Sequence, residues 1–123
     1  MVIWTTQHWS RESVANDTEH YYVFGDNTEK YGNAGQACIR GLPNAFGVPT
    51  KVSPDMGPSA FFTDDDETGL ATHLQKKLIL RAIKRIPTDK PIVVSVDIGR
   101  GLAELHIRAP QTWAFLISEL NKL

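Results

Sequence analysis

Two short glycine-bearing stretches hold the residue types that could do chemistry. The first runs Phe24-Gly25-Asp26-Asn27 and on through Gly32-Asn33-Ala34-Gly35-Gln36; the second is Gly99-Arg100-Gly101-Leu102. Glycine lets a backbone approach a phosphate closely, and free N–H groups at a helix start favour negative charge. Each stretch follows a segment that reads as a strand. Ligands of open α/β sheets sit outside the carboxyl ends of strands, so two such turns could grip both ends of one nucleotide-type ligand. Neither is a Walker loop or a full GxGxxG, and each glycine also has the plainer use of making a tight turn. Asp26 and Asn27 could read a ribose hydroxyl or an amide edge, or could bond backbone N–H groups in an Asx turn. Thr50 and Lys51 end a nearby extended run, and Lys51 supplies a cation if it turns inward. Arg40 and Asn44 could line the same cleft.

The elements that must position these residues alternate between strand and helix, the sign of a layered α/β domain. Val2–Trp4 reads as a short strand, and residues 10–19 fit either a short helix or a loop. Tyr21–Phe24 is aromatic and β-branched, which suits a pleated surface. Residues 34–45 have helical spacing, residues 46–51 read as extended, and Ala60-Phe61-Phe62 as another short strand. Asp64-Asp65-Asp66-Glu67 sits where helix caps and first-turn carboxylates are favoured. Leu70, Leu74, Leu78, Ile79, Ala82, Ile83 and Ile86 then predict an amphipathic helix. Pro91–Ile98 is a near-continuous apolar run, as in a central strand buried on both faces. A last helix is expected from Pro110 to Asn121, with proline at its first turn.

Composition narrows the function classes. The chain has 123 residues, 41% hydrophobic and 22% charged, the profile of one ordinary domain. Lysine plus arginine number 13 against 14 acidic residues, a net charge of −1. That balance gives no general attraction to nucleic acid or an anionic membrane, so neither is an expected partner. No signal-like or membrane-spanning run is present, and cytoplasm is the expected location. With one cysteine, Cys38, no internal disulfide forms, and the four histidines lack metal-ligand spacing. No cofactor or metal is expected. Lys76, Lys77, Arg81, Lys84 and Arg85 form a basic helix face. It is either a solvated surface or, in an alternative reading, the docking face of a nucleic-acid or protein-binding module.

Several motifs occur in a telling order: Tyr22-Val23-Phe24-Gly25-Asp26-Asn27, then Gly32, Gly35 and Ala37, Val48-Pro49-Thr50-Lys51, Ile98-Gly99-Arg100-Gly101-Leu102-Ala103, and Ala109-Pro110. Together they resemble a group of macrodomain-like proteins common in bacteria and phages. The resemblance implies one macrodomain-like domain over residues 1–123. It also implies a three-layer α/β/α fold with a mostly parallel or mixed central sheet, and an ADP-ribose-type pocket. On it, Asn27 contacts the distal ribose, Gly32 to Gln36 line a first phosphate loop, and Gly99 to Leu102 a second. The chain departs from the group's pattern at Asp26, where serine is usual, at Glu104, where glycine is frequent, and at Arg100. Arg100 suits a phosphate through its forked donors; Glu104 repels one, or serves as a general base if it points inward. The expected function is binding of ADP-ribose or a related nucleotide. That binding would serve to sequester a signalling nucleotide or to release ADP-ribose from a modified macromolecule by hydrolysis at the ribose C1. In the hydrolase reading Asn27 holds the ribose and Asp26 or Glu104 activates water.

Overall fold

Four segments pair into one sheet: β1 (Val2–Thr5), β2 (Tyr21–Asn27), β3 (Ala45–Lys51) and β4 (Ile92–Ser95). The computed structural model describes every residue from Met1 to Leu123. The strand order is β1-β4-β2-β3 and every pairing is parallel. β4 therefore has a neighbour on each side, and Ile92 and Val94 are fully buried, as its apolar run predicts. It is shorter than the run itself. The Ser95 hydroxyl accepts the Asp97 N–H and the Ser95 carbonyl accepts that of Ile98, which turns the chain out of the sheet.

Side chains alternate across a strand, so consecutive residues of β2 serve two cores. Phe24 packs with Val14 of α1 (Arg11–Ala15) and Ile39 of a 3₁₀ turn, Gly35–Ile39, on one face. Val23 joins Val48, Ile92, Val94 and Ile98 on the other. There they meet Ile79 and Ile83 of α2 (His73–Lys84), Leu105 of α3 (Leu105–Arg108), and Leu116 and Leu120 of α4 (Pro110–Asn121). The crossovers from β1 to β2 and from β2 to β3 step one way along the sheet. The crossover from β3 to β4 steps back over β2, with α2 on the opposite face. A single handedness of crossover requires that change of face.

Three expected elements are corrected. The helix expected over 34–45 is only the 3₁₀ turn Gly35–Ile39, because Arg40 takes an extended ψ of 135° and the chain enters β3 at Ala45. The strand expected at 60–62 is a 3₁₀ turn, Pro58–Ala60, followed by a single antiparallel bridge from Phe61 to Lys51. The acidic run does not open α2, whose cap is the Thr72 hydroxyl accepting the Gln75 N–H. Asp65 instead closes a turn on the N–H groups of Glu67 and Thr68. Asp64 reaches α4 and accepts the Gln111 N–H at 2.8 Å, the Thr112 N–H at 3.0 Å and the Thr112 hydroxyl at 2.8 Å. The Thr112 hydroxyl in turn accepts from Gln75 of α2, so one polar chain, buried at Thr112 and Gln75, ties the acidic loop to both helices. No helix is long and apolar enough to cross a membrane.

Replacing Asp64 by alanine strands three donors at the start of α4. Stability in urea should fall by about 2 kcal/mol. A second bond reports on pH. The Tyr22 hydroxyl donates to Asp17 at 2.6 Å, and burial together with this carboxylate pushes the tyrosine pKa up to about 12. A phenol whose folded pKa is raised contributes stability that is complete below its unfolded pKa and lost as pH rises through the folded value. Wild-type stability should therefore decline between pH 10 and about 12. Tyr22→Phe should lack that part of the decline and lose about 1–2 kcal/mol at neutral pH, both read by denaturation at a series of pH values.

Candidate functional site

A cleft of about 600 Å³ opens at the carboxyl ends of the strands. Its place follows from the chain path. β2 delivers its loop to the face carrying the 3₁₀ turn, whereas its neighbour β4 delivers its loop to the face carrying α3 and α4. Adjacent exits that part to opposite faces leave a crevice between them, the switch point at which parallel α/β sheets bind ligands.

The two glycine-bearing stretches converge here. Gly25, Ala34, Gly35 and Gln36 line one side, Gly99, Arg100, Gly101 and Leu102 the other, and Thr50 joins them from β3. The first wall is tied together by Gln36, whose carbonyl accepts the Trp9 indole N–H at 3.2 Å. Its side-chain oxygen accepts the Gly25 N–H at 3.4 Å. The buried Thr50 hydroxyl donates to the Asp26 carbonyl at 3.2 Å. A side chain at Gly25 would press on Thr50, with Cβ only 3.1 Å from its hydroxyl.

The second wall hangs on Trp113. Its indole N–H donates to the Ile98 carbonyl at 3.0 Å, and a Cβ at Gly99 would lie 2.9 Å from its ring. Gly99 also has φ of +78°, a conformation glycine adopts without steric cost. The Arg100 guanidinium lies 5.5 Å from the Trp113 ring centroid and pairs with no carboxylate. These two walls thus present backbone, the Thr50 hydroxyl, the Gln36 amide and one unpaired guanidinium, and His8 and Asp97 add an imidazole and a carboxylate to the lining.

Eight other predicted residues lie outside its lining: Asp26, Asn27, Gly32, Asn33, Arg40, Asn44, Lys51 and Glu104. Alternation along β2 explains the first, since Gly25 faces the cleft and Asp26 must face the other side. Its buried carboxylate pairs with the Arg40 guanidinium and accepts the Asn27 N–H at 2.7 Å. Arg40 also donates to the Gly32 carbonyl and rests over the Phe24 ring. Gly47 clears the space for this pair, because a Cβ there would come within 2.7 Å of the Asp26 carboxylate.

Asn27 closes its own turn, its amide donating to the Tyr31 carbonyl at 2.7 Å and its oxygen accepting the Tyr31 N–H at 3.3 Å. Asn44 binds the carbonyls of Val14 and Asp17. Lys51 turns away from the cleft, its ammonium donating to the Asp55 carbonyl at 2.6 Å above the Phe61 ring. Burial pushes its pKa down, Glu104 and Asp55 pull it back up, and Arg108 lowers it further. Glu104 pairs with Arg108 at 3.4 Å.

Sequence reasoning missed five polar or aromatic groups in the lining: Gln7, His8 and Trp9 after β1, and Ser95 and Asp97 after β4. The signal for Ser95 and Asp97 was present, as they end the strand that leads to Gly99. That for Gln7 to Trp9 was not, because only the strand order reveals that β1 lies beside β4.

Fold and cleft together define a parallel α/β protein with a polar, glycine-walled crevice at its switch point. Residues 4–119 match DUF7831, described as a family of unknown function, and the chain belongs to that family. No curated protein and no solved structure matches the chain.

The Asp26–Arg40 pair makes a test of structure apart from ligand. Arg40→Met leaves a buried carboxylate without its cation and should cost about 3 kcal/mol in a denaturant titration. Asp26→Asn, which removes the buried charge as well, should cost less.

Proposed function

We propose that the chain is a macrodomain-like protein that binds ADP-ribose or a related nucleotide in this cleft. The observation that carries the reading is the convergence of two separate glycine-bearing loops on one crevice, with the unpaired Arg100 between Gly99 and Gly101. The crevice volume of about 600 Å³ falls within the range of small-molecule sites, roughly 300–1,000 Å³. Glycine walls let backbone N–H groups come close to a diphosphate, and a guanidinium binds it through paired donors. The ordered motifs from Tyr22 to Pro110, which resemble those of macrodomain-like proteins, support a nucleotide over another anion.

Binding is the activity proposed, rather than hydrolysis. A hydrolase needs an acid or base beside the ribose C1. Asp26, Asn27 and Glu104, the residues expected for that work, are engaged elsewhere with Arg40, Tyr31 and Arg108. His8 and Asp97 do line the cleft, so a base is within it, and binding is proposed because it is the activity that the two glycine-bearing loops and Arg100 support directly. A free signalling nucleotide and an ADP-ribosylated macromolecule present the same diphosphate to the cleft.

Calorimetric titration with ADP-ribose tests the reading. Wild type should bind in the micromolar range, and Arg100→Ala should weaken binding about tenfold, or 1.4 kcal/mol. Gly101→Glu should abolish it without unfolding the chain, since a Cβ at Gly101 meets no neighbouring atom. Asn27→Ala should bind like wild type; loss of binding there, with the fold intact, would restore the ribose contact that the resemblance implies. Absence of heat with ADP-ribose, ADP and NAD rejects the proposal.

A further inference from the structure

We infer that the outer face of α2, together with the trough beside the free edge of β3, is a second binding surface, one that takes the phosphate backbone of a nucleic acid. No Asp or Glu occurs between Glu67 and Asp89, while Lys76, Lys77, Arg81, Lys84 and Arg85 all fall in that interval. The apolar side of α2 is spent on the core through Ile79 and Ile83, so the cations are left outside. None of the five lies within ion-pair distance of a carboxylate. Five of the chain's 13 basic residues therefore project a local positive field that the net charge conceals.

The surface has shape as well as charge. A hollow of about 440 Å³ wraps the edge of β3; Lys30, Thr28, Arg81 and Arg85 line it, and its one carboxylate, Asp26, is neutralised by Arg40. A second, of about 750 Å³, lies between α2 and Phe115 and shares Arg81 and Arg85 with the first. The two arginines stand at the boundary of adjoining hollows. Lys76 sits over the Phe115 ring at 5.8 Å, so an aromatic surface with a cation beside it borders the second hollow. Cationic grooves bordered by aromatic rings suit nucleic acid, whose phosphates follow the charge and whose bases stack.

Other anionic partners fit less well. For an extended peptide adding to β3 as a further strand, the edge offers little. Pro49 has no N–H, and the Ala45 N–H is already given to the Leu42 carbonyl. A membrane surface needs exposed apolar side chains among the cations, and Leu74 is the one large hydrophobic on α2 that is well exposed.

Fluorescence anisotropy with labelled oligonucleotides of about 12 nucleotides, single-stranded and duplex, tests the inference. Binding should weaken about 100-fold between about 50 and about 200 mM salt, the loss expected for roughly five phosphate contacts on a single strand. Arg81→Glu combined with Arg85→Glu should weaken binding at least about tenfold and flatten the salt dependence. Both side chains are exposed, so the double variant keeps the fold, with only the small drop in melting temperature expected of carboxylates at a helix C-terminus. Lys122→Glu, a charge reversal beyond the end of α4, should leave binding unchanged. Binding of either strand form with that salt dependence supports the inference. It is overturned by absence of binding at low salt or by undiminished binding of the double variant. Preference for polyglutamate or for anionic vesicles over the oligonucleotides overturns it as well.

Discussion

All four strands point the same way, so every carboxyl end of the sheet lies on one rim. A parallel strand cannot return through a tight hairpin; each connection must climb over a face before the next strand begins. With the order β1-β4-β2-β3, two forward crossovers use one face and the backward one uses the other. The loops leaving β2 and β4 therefore separate, although the strands themselves are hydrogen-bonded neighbours. The crevice is the space between those loops, and it exists before any side chain is chosen. What the sequence adds is the character of its walls.

β2 shows how one strand can serve a site and its support together. Gly25 faces the crevice, while Asp26, the next residue, faces away and is held by Arg40. A buried pair of this kind adds little net stability, because desolvation offsets most of the attraction. Its effect is positional. Arg40 also reaches the Gly32 carbonyl, so the loop after β2 is anchored to the strand that launches it. Trp113 does the same for the opposite wall through the Ile98 carbonyl and its contact with Gly99. Each glycine-bearing loop has one large side chain that fixes its course.

Much of this was legible in the residues, and the failures share a physical cause. β1, β2, β4 and α4 were readable because local composition and period decide them. The helix expected over 34–45 failed because Ala37, Ile39 and Leu42 have helical spacing, yet the chain must reach β3 by Ala45. The start of α2 was misplaced because the first-turn carboxylate belongs to a different helix. Asp64 caps α4, and proximity in sequence gave the wrong partner. Site residues divide the same way. Those following β2 and β4 were found as loops, but the direction of Asp26, Lys51 and Glu104 depends on alternation and on contacts made far along the chain. His8 and Trp9 required the strand order, which no local pattern encodes.

The two glycines flanking Arg100 are there for different reasons, and the contrast bears on function. Gly99 is explained by the fold alone: its positive φ and the Trp113 ring 2.9 Å from a Cβ leave no room for anything else. Gly101 has no such explanation. Its φ is ordinary, and a Cβ there would enter open space. Alanine would cost the folded chain nothing and would reduce the entropy of the unfolded one, so stability alone favours a side chain at this position. What a side chain would take away is room in the crevice beside the one guanidinium of its wall that pairs with no carboxylate. Gly101 therefore marks where this wall of the crevice is backbone alone, next to Arg100, whose guanidinium pairs with no carboxylate.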